Sequence, residues 1–323
     1  MICNQLDAPI VLAHGLFGYD RIGVGRITIT SYFRGIPEFL RLGGNRVILT
    51  RVPPIAGVKL RARALAEQID RVCPGQAVHI IGHSMGGLDA RQLLASPAWR
   101  GRILSLTTVG TPHLGSGLAD WSRLRAGPVL RLLRTMKINH HGFLDLTRRA
   151  ANAVNRNGLR DHGVPCFCVA GDPALELVCW PLKRFHLVLS GLEGPNDGLV
   201  SVESALGFGT PLPTWPVDHF RQLNWLSPHS GPSSAAEIRR LYGSLVENLA
   251  SLGFAAPRAP EAPDPAADPS RPRTSKGFGQ VFLLHPLLRT LRAGRPVKKD
   301  GDRHVAEDVG GGPAPVEEPV DGQ

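Results

Sequence analysis

The chain has 323 residues, 42% of them hydrophobic, and a formal net charge of +10. That length accommodates one large core and an extension, and no apolar run approaches the ~20 residues of a membrane-spanning helix. The positive charge raises nucleic acid as a partner. However, aromatics are only 6%, the arginines are scattered and no nucleic-acid-binding motif occurs, so none is expected.

Met1 is followed closely by an apolar strand, Pro9 to Ala13, with no basic start and no small-residue cleavage site; no secretory signal is expected. The strand runs into His14-Gly15-Leu16-Phe17-Gly18, a turn suited to offering a backbone N–H to an oxygen that becomes negative. Tyr32 to Leu42 can form a helix closed by Gly43-Gly44, and Arg46 to Val52 reads as the next strand. Lys59 to Val72 has helical periodicity through Leu60, Ala64, Leu65 and Ile69.

The most informative stretch is Ala77 to Gly87. A β-rich run ends in Gly82-His83-Ser84-Met85-Gly86, and helix formers follow from Leu88 to Leu94. Strand, sharp turn and helix around Gly-x-Ser-x-Gly form a nucleophile elbow, with Ser84 held at the apex. Gly82 and Gly86 flank it because side chains there would meet the adjoining strand or helix. The amides of Leu16 and Met85 are the expected pair of oxyanion donors.

Ile103 to Val109 is a further strand, followed by Gly110-Thr111-Pro112-His113-Leu114-Gly115-Ser116. Strands alternating with helices of about 10 to 15 residues predict a doubly wound, mostly parallel α/β sheet, with its chemistry at the carboxyl ends of the strands. His113 comes next after the elbow, whereas this layout supplies its base last, so His113 reads as structural. Residues 120–160 leave the sheet. Leu124, Val129, Leu130, Leu133 and Met136 share a face among basic residues, and either a cap that meets lipid or an ordinary helix with a solvated face fits them.

Val164 to Ala170 is a strand ending in Gly171-Asp172, and a loop leads to Pro195-Asn196-Asp197-Gly198. Asp172 and Asp197 compete to orient a histidine, with Asp197 favoured by its turn. His219 and His229 are candidate bases, with His219 favoured because His229 lies in a loop before the last helix, Ala235 to Leu252. The five cysteines lack zinc spacing and read as reduced core thiols, Cys166 and Cys168 sharing one face of a strand; a cytoplasmic protein is expected. Past Gly253, Ala255 to Arg273 is rich in Pro and Ala and is expected to be disordered, with a possible short amphipathic helix at 281–292.

These blocks resemble the bacterial triacylglycerol lipase family of the α/β-hydrolase fold, typified by Pseudomonas and Burkholderia lipases. The residues that carry the likeness are Pro9 to Gly18, Tyr32 to Ile36, Gly82 to Gly87, Val109 to Ser116, Asn196 to Ser201 and Asp218-His219. The resemblance implies one α/β-hydrolase domain over residues 1–253 with a cap insertion at about 120–160, and residues 254–323 as an extension. It also implies Ser84 as nucleophile, His219 and Asp197 as its partners, Leu16 and Met85 as oxyanion donors, and a lipid ester as substrate. A short-chain esterase, a phospholipase, an acyltransferase or a lipid-binding protein on the same fold are the alternatives.

Two departures stand out. Those lipases bind calcium through an Asp two positions after the catalytic His, where this chain has Arg221, and their disulfide uses a cysteine where this chain has Glu203. No metal and no cofactor are therefore expected.

Overall fold

The computed structural model describes residues 3–16, 21–24, 27–120, 141–156, 163–225 and 232–257. All lie in one compact unit, Met1–Glu261. Its frame is a sheet of six strands: β1 (Ile10–Ala13), β4 (Val47–Leu49), β5 (Val78–His83), β6 (Ile103–Val109), β7 (Cys166–Val169) and β8 (Thr210–Pro211). Their order is β4-β1-β5-β6-β7-β8 and every pairing is parallel. The short strands β2 (Arg21–Val24) and β3 (Ile27–Ser31) form a separate antiparallel ribbon.

The central strands are buried on both faces, and their side chains alternate between two cores because successive residues of a strand point opposite ways. Ile10, Leu12 and Ile81 pack toward α1 (Ile36–Leu42) and the closing helix, numbered α8 here (Pro232–Leu249). Val11, Ala13 and Ile80 pack toward α2 (Val58–Val72) and α3 (Met85–Leu94). From β1 the chain passes to β4 on one side, then crosses to β5 on the other. The carboxyl ends of β1 and β5 thus flank a topological switch point, where a crevice opens in sheets of this kind.

The remaining helices are α4 (His141–Asp145), α5 (Arg148–Arg156), α6 (Trp180–Glu193) and α7 (Val202–Ala205). The expected loop after Asp172 is a correction: fourteen of its residues form α6. Pro181 stands in its first turn, where its missing N–H costs nothing, and Leu182, His186 and Leu189 make its buried stripe. Residues 121–140 and 157–160 of the expected cap lie outside the described residues. Its described part is tied to the body, with the Val58 amide donating to Asp145 Oδ2 at 2.7 Å and Arg91 Nη2 to Asn155 Oδ1 at 2.6 Å.

The domain does not stop at Gly253. Phe254 O accepts from the Asp7 amide at 2.9 Å, and the Ala256 amide donates to Gln5 O at 2.9 Å, so the first residues of the expected extension belong to the body. The possible helix at 281–292 lies outside the described residues. Among the described residues, no helix is long and apolar enough to cross a membrane.

Candidate active site

β5 delivers Ser84 into a backbone conformation that side chains rarely adopt, φ 54° and ψ −129°. Such strain persists only where the surroundings enforce it. Here the Ser84 amide donates to Val109 O at 2.9 Å, and Ser84 O accepts from Gly87 N at 3.0 Å and Thr111 Oγ1 at 2.9 Å. A Cβ on Gly82 would lie 2.6 Å from Gly87 Cα, and one on Gly86 would lie 2.2 Å from Ala13 O. Glycine at both positions lets the turn close against β1 and α3.

Leu16 stands just past β1, in a turn whose polar groups are held from two sides. Arg61, fully buried on α2, donates through Nη2 to His14 O at 2.6 Å and to Gly15 O at 3.2 Å. Its Nε meets Asp89 Oδ2 of α3 at 2.9 Å. His14 Nε2 accepts from the Val52 amide at 3.1 Å, so the ring proton is on Nδ1, which donates to Gly15 O at 2.9 Å. Gly15 C=O and Leu16 N–H share one planar peptide and point oppositely, so holding the oxygen aims the Leu16 N–H. The Met85 amide stands at the positive end of α3. Neither amide donates to a protein group among the described residues.

Asp197 and His219 come together in the interior. His219 Nδ1 lies 2.7 Å from Asp197 Oδ2, and the His219 amide donates to Asp197 O at 2.9 Å. A carboxylate only accepts, so Nδ1 carries the proton and Nε2 is left as the basic nitrogen. The Asp197 carboxylate accepts three more hydrogen bonds, from the Leu199 and Val200 amides at Oδ1 and from Gln222 Nε2 at Oδ2, at 2.8–2.9 Å. Its turn is braced by buried Asn196, whose Nδ2 donates to His186 O, Ser190 Oγ and Gly194 O. The His219 ring lies 4.6 Å, centroid to centroid, from that of His83, the residue before Ser84.

The other candidates go elsewhere. Asp172 is exposed, its amide bonded to Trp215 O, and its side chain takes no part in the cluster. His229 lies outside the described residues. His113 is buried under Phe208 with Nε2 3.0 Å from Thr108 Oγ1, and burial holds its pKa well below the usual value. It is a packed histidine.

Four similarities bear on these observations. A family model described as a PGAP1-like alpha/beta domain matches residues 66–133. Triacylglycerol lipase 2 of Saccharomyces cerevisiae is 29% identical over 245 residues, 69% of this chain and 74% of the yeast protein. Triacylglycerol lipase of Pseudomonas fragi is 40% identical over 124 residues, 37% of this chain and 40% of that one. Among solved structures, a metagenomic carboxyl esterase covers 78% of each chain with TM-score 0.64 at 18% identity, which establishes the fold.

The chain is similar to triacylglycerol lipases of yeast and bacteria.

These likenesses support carboxylic-ester hydrolase activity. The chain spans under half the length of the Pseudomonas relative. At the position where the bacterial lipases carry a calcium ligand, this chain has a cation. Arg221 Nη2 is paired with Glu237 Oε2 at 2.7 Å. Asp218 is spent on the Cys179, Phe220 and Arg221 amides. The described residues contain no group of three or more His, Cys, Asp or Glu placed to hold a metal. All five cysteines are free.

Sequence reasoning missed Tyr32, His83, Gln222, Arg61 and Asp89. Nothing in their spacing marks them, since each acts on a partner distant in the chain.

Proposed function

We propose that this chain hydrolyses carboxylic esters of lipids, acylglycerols foremost, through Ser84, His219 and Asp197. The observation that carries the reading is the buried 2.7 Å bond between His219 and Asp197, its imidazole packed against His83 of the elbow that holds Ser84 in strained geometry. Ser84 Oγ attacks the ester carbonyl carbon as His219 Nε2 takes its proton, and Asp197 stabilises the imidazolium. The amides of Leu16 and Met85 stabilise the oxyanion. The tetrahedral adduct expels the alcohol, which leaves with the proton from His219, and water repeats the sequence on the acyl-Ser84 ester. No metal or cofactor enters any step. The free cysteines favour a reducing, cytoplasmic setting.

Contact with a lipid surface is supported by α6. Trp180 is 83% exposed and Leu187 57%, with Lys183 and Arg184 between them on one helical stripe. An apolar anchor flanked by cations suits an anionic or zwitterionic interface.

The test is turnover of p-nitrophenyl esters from short to long chains, of emulsified triacylglycerol and of phospholipid, by the wild type and Ser84→Ala. Long-chain turnover lost in the variant supports the reading. A short-chain optimum or phospholipid preference would reassign the substrate, and turnover surviving Ser84→Ala would overturn the mechanism.

A further inference from the structure

Three buried side chains connect the oxyanion turn to the acid without a break. The Gly15 amide lies 3.0 Å from Tyr32 Oη, and Tyr32 Oη lies 2.8 Å from His83 Nδ1. His83 Nε2 lies 3.0 Å from Gln222 Oε1, and Gln222 Nε2 lies 2.9 Å from Asp197 Oδ2.

The direction of every proton in this chain follows from its ends. A backbone N–H can only donate and a carboxylate can only accept. Gln222 must therefore present its amide nitrogen to Asp197 and its oxygen to His83. His83 then carries its proton on Nε2 and accepts at Nδ1, so Tyr32 donates to it and receives from Gly15. All donors run one way, from the oxyanion turn toward the acid. Every member is neutral, and burial with the nearby His219 holds the His83 pKa well below its usual value. Hydrogen bonds aligned in this manner polarise one another in a poorly screened interior.

The site is built to receive the Gln222 amide. A Cβ on Gly110, whose φ is +55°, would stand 2.3 Å from Gln222 Oε1 and 3.0 Å from Asp197 Oδ2. One on Gly171 would stand 2.5 Å from Gln222 Nε2. Glycines thus stand one residue past β6 and two past β7, where the amide lies. Gln222 itself is fully buried on the turn directly after His219.

We propose that Tyr32, His83 and Gln222 are positioning residues that hold the acid and the oxyanion turn as one mechanical unit. Gln222 fixes the Asp197 carboxylate in the plane that His219 needs, Tyr32 anchors the peptide before the oxyanion donor, and His83 joins them directly beneath Ser84. This rests on the hydrolase reading above. The relay moves no proton during turnover; it sets geometry, and small misplacements of reacting groups can cost about a hundredfold in rate.

The test uses the full chain on a soluble short ester, with wild-type turnover and its loss in Ser84→Ala as the control for the hydrolase reading itself. Gln222→Leu is expected to lower kcat by about ten- to a hundredfold with KM within about twofold. Tyr32→Phe is expected to lower kcat less, and the double variant to lose less than the product of the single losses, because both cut one unit. Gln222→Glu adds a carboxyl among Asp197, His219, His83 and Tyr32. A further negative charge there favours the imidazolium of His219, so the acid limb of kcat/KM moves to higher pH.

Ring-nitrogen NMR of His83 supplies a readout that needs no activity, and Nε2–H is expected. Nδ1–H at His83 would overturn the polarity of the chain. In an active enzyme, unchanged kcat in folded Gln222→Leu, multiplicative losses in the double variant or an unmoved acid limb in Gln222→Glu would overturn the positioning role and leave the hydrolase reading standing.

Discussion

Two buried polar assemblies grip the same oxyanion turn from opposite sides of the sheet, and they are built on different principles. Arg61 and Asp89, on α2 and α3, are charged. Tyr32, His83 and Gln222 are neutral. The charged pair offers what no neutral group can. One guanidinium fork reaches two successive carbonyls of the turn, Pro53 O and a carboxylate at once. It carries a desolvation cost in return. Asp89 Oδ1 has no partner, and burial pushes its carboxyl up to about 7 against the pull of Arg61. The neutral assembly has no such charge to desolvate, and its ends fix its polarity. The turn is therefore anchored by strength on one side and by directional order on the other.

The difference can be broken at either end. Asp197→Asn removes the acceptor on which the neutral relay and His219 both terminate, and it inverts the tautomer that the imidazole needs. We expect kcat to fall by about 10³–10⁴-fold with the fold retained, measured on a soluble ester beside circular dichroism. Arg61→Leu attacks the other assembly and leaves Asp89 buried without its partner. A stability loss of about 3–5 kcal/mol is expected in urea melts. The double variant Arg61→Leu/Asp89→Leu recovers most of that stability and little of the turnover, since Gly15 O stays without its cation. Full recovery of both would mean that Arg61 serves packing alone.

pH separates the assemblies by sign. His83 and His113 have pKa values held well below 6.5 by burial, so the unfolded chain takes protons that the native one refuses. Their contribution to stability is present above about 6.5 and is lost as pH falls below it, at up to about 1.4 kcal/mol per pH unit for each. Asp89 is shifted upward, so its contribution is present below its unfolded value of 3.8 and is lost as pH rises toward about 7. The histidines outnumber it. The urea midpoint should therefore fall between pH 7 and 5, less steeply in His83→Gln or His113→Gln. A midpoint that rises over that interval would show that Asp89 governs. The smallest effect is expected at the surface: Trp180→Ala should lower turnover on emulsified lipid a few-fold, roughly 1 kcal/mol, and leave soluble esters unchanged.

Much of this architecture is written locally. The parallel strands are short β-branched runs, and Ile103 to Val109 forms over those same residues. Gly-His-Ser-Met-Gly fixes its own turn, and Asn196-Asp197-Gly198 and Asp218-His219 each carry their chemistry within a few residues. What escaped is non-local or disguised. Tyr32 meets His83 across 51 positions and His83 meets Gln222 across 139, so no window of sequence holds the relay. Arg61 sits in a helix with three other basic residues that looks solvated, yet it is the one fully buried. Helix α6 was hidden by its opening Trp-Pro and by exposed apolar residues that blur its stripe, even though Leu182, His186 and Leu189 recur at helical spacing.

The central claim is that Ser84 is a nucleophile served by His219. A p-nitrophenyl alkylphosphonate, which mimics the tetrahedral adduct, tests it directly when its attachment is mapped by peptide mass spectrometry. The account predicts one adduct, on Ser84, formed in step with loss of esterase turnover and formed far more slowly in His219→Ala. An active protein whose turnover survives full modification of Ser84, or whose adduct lies on another residue, would contradict it.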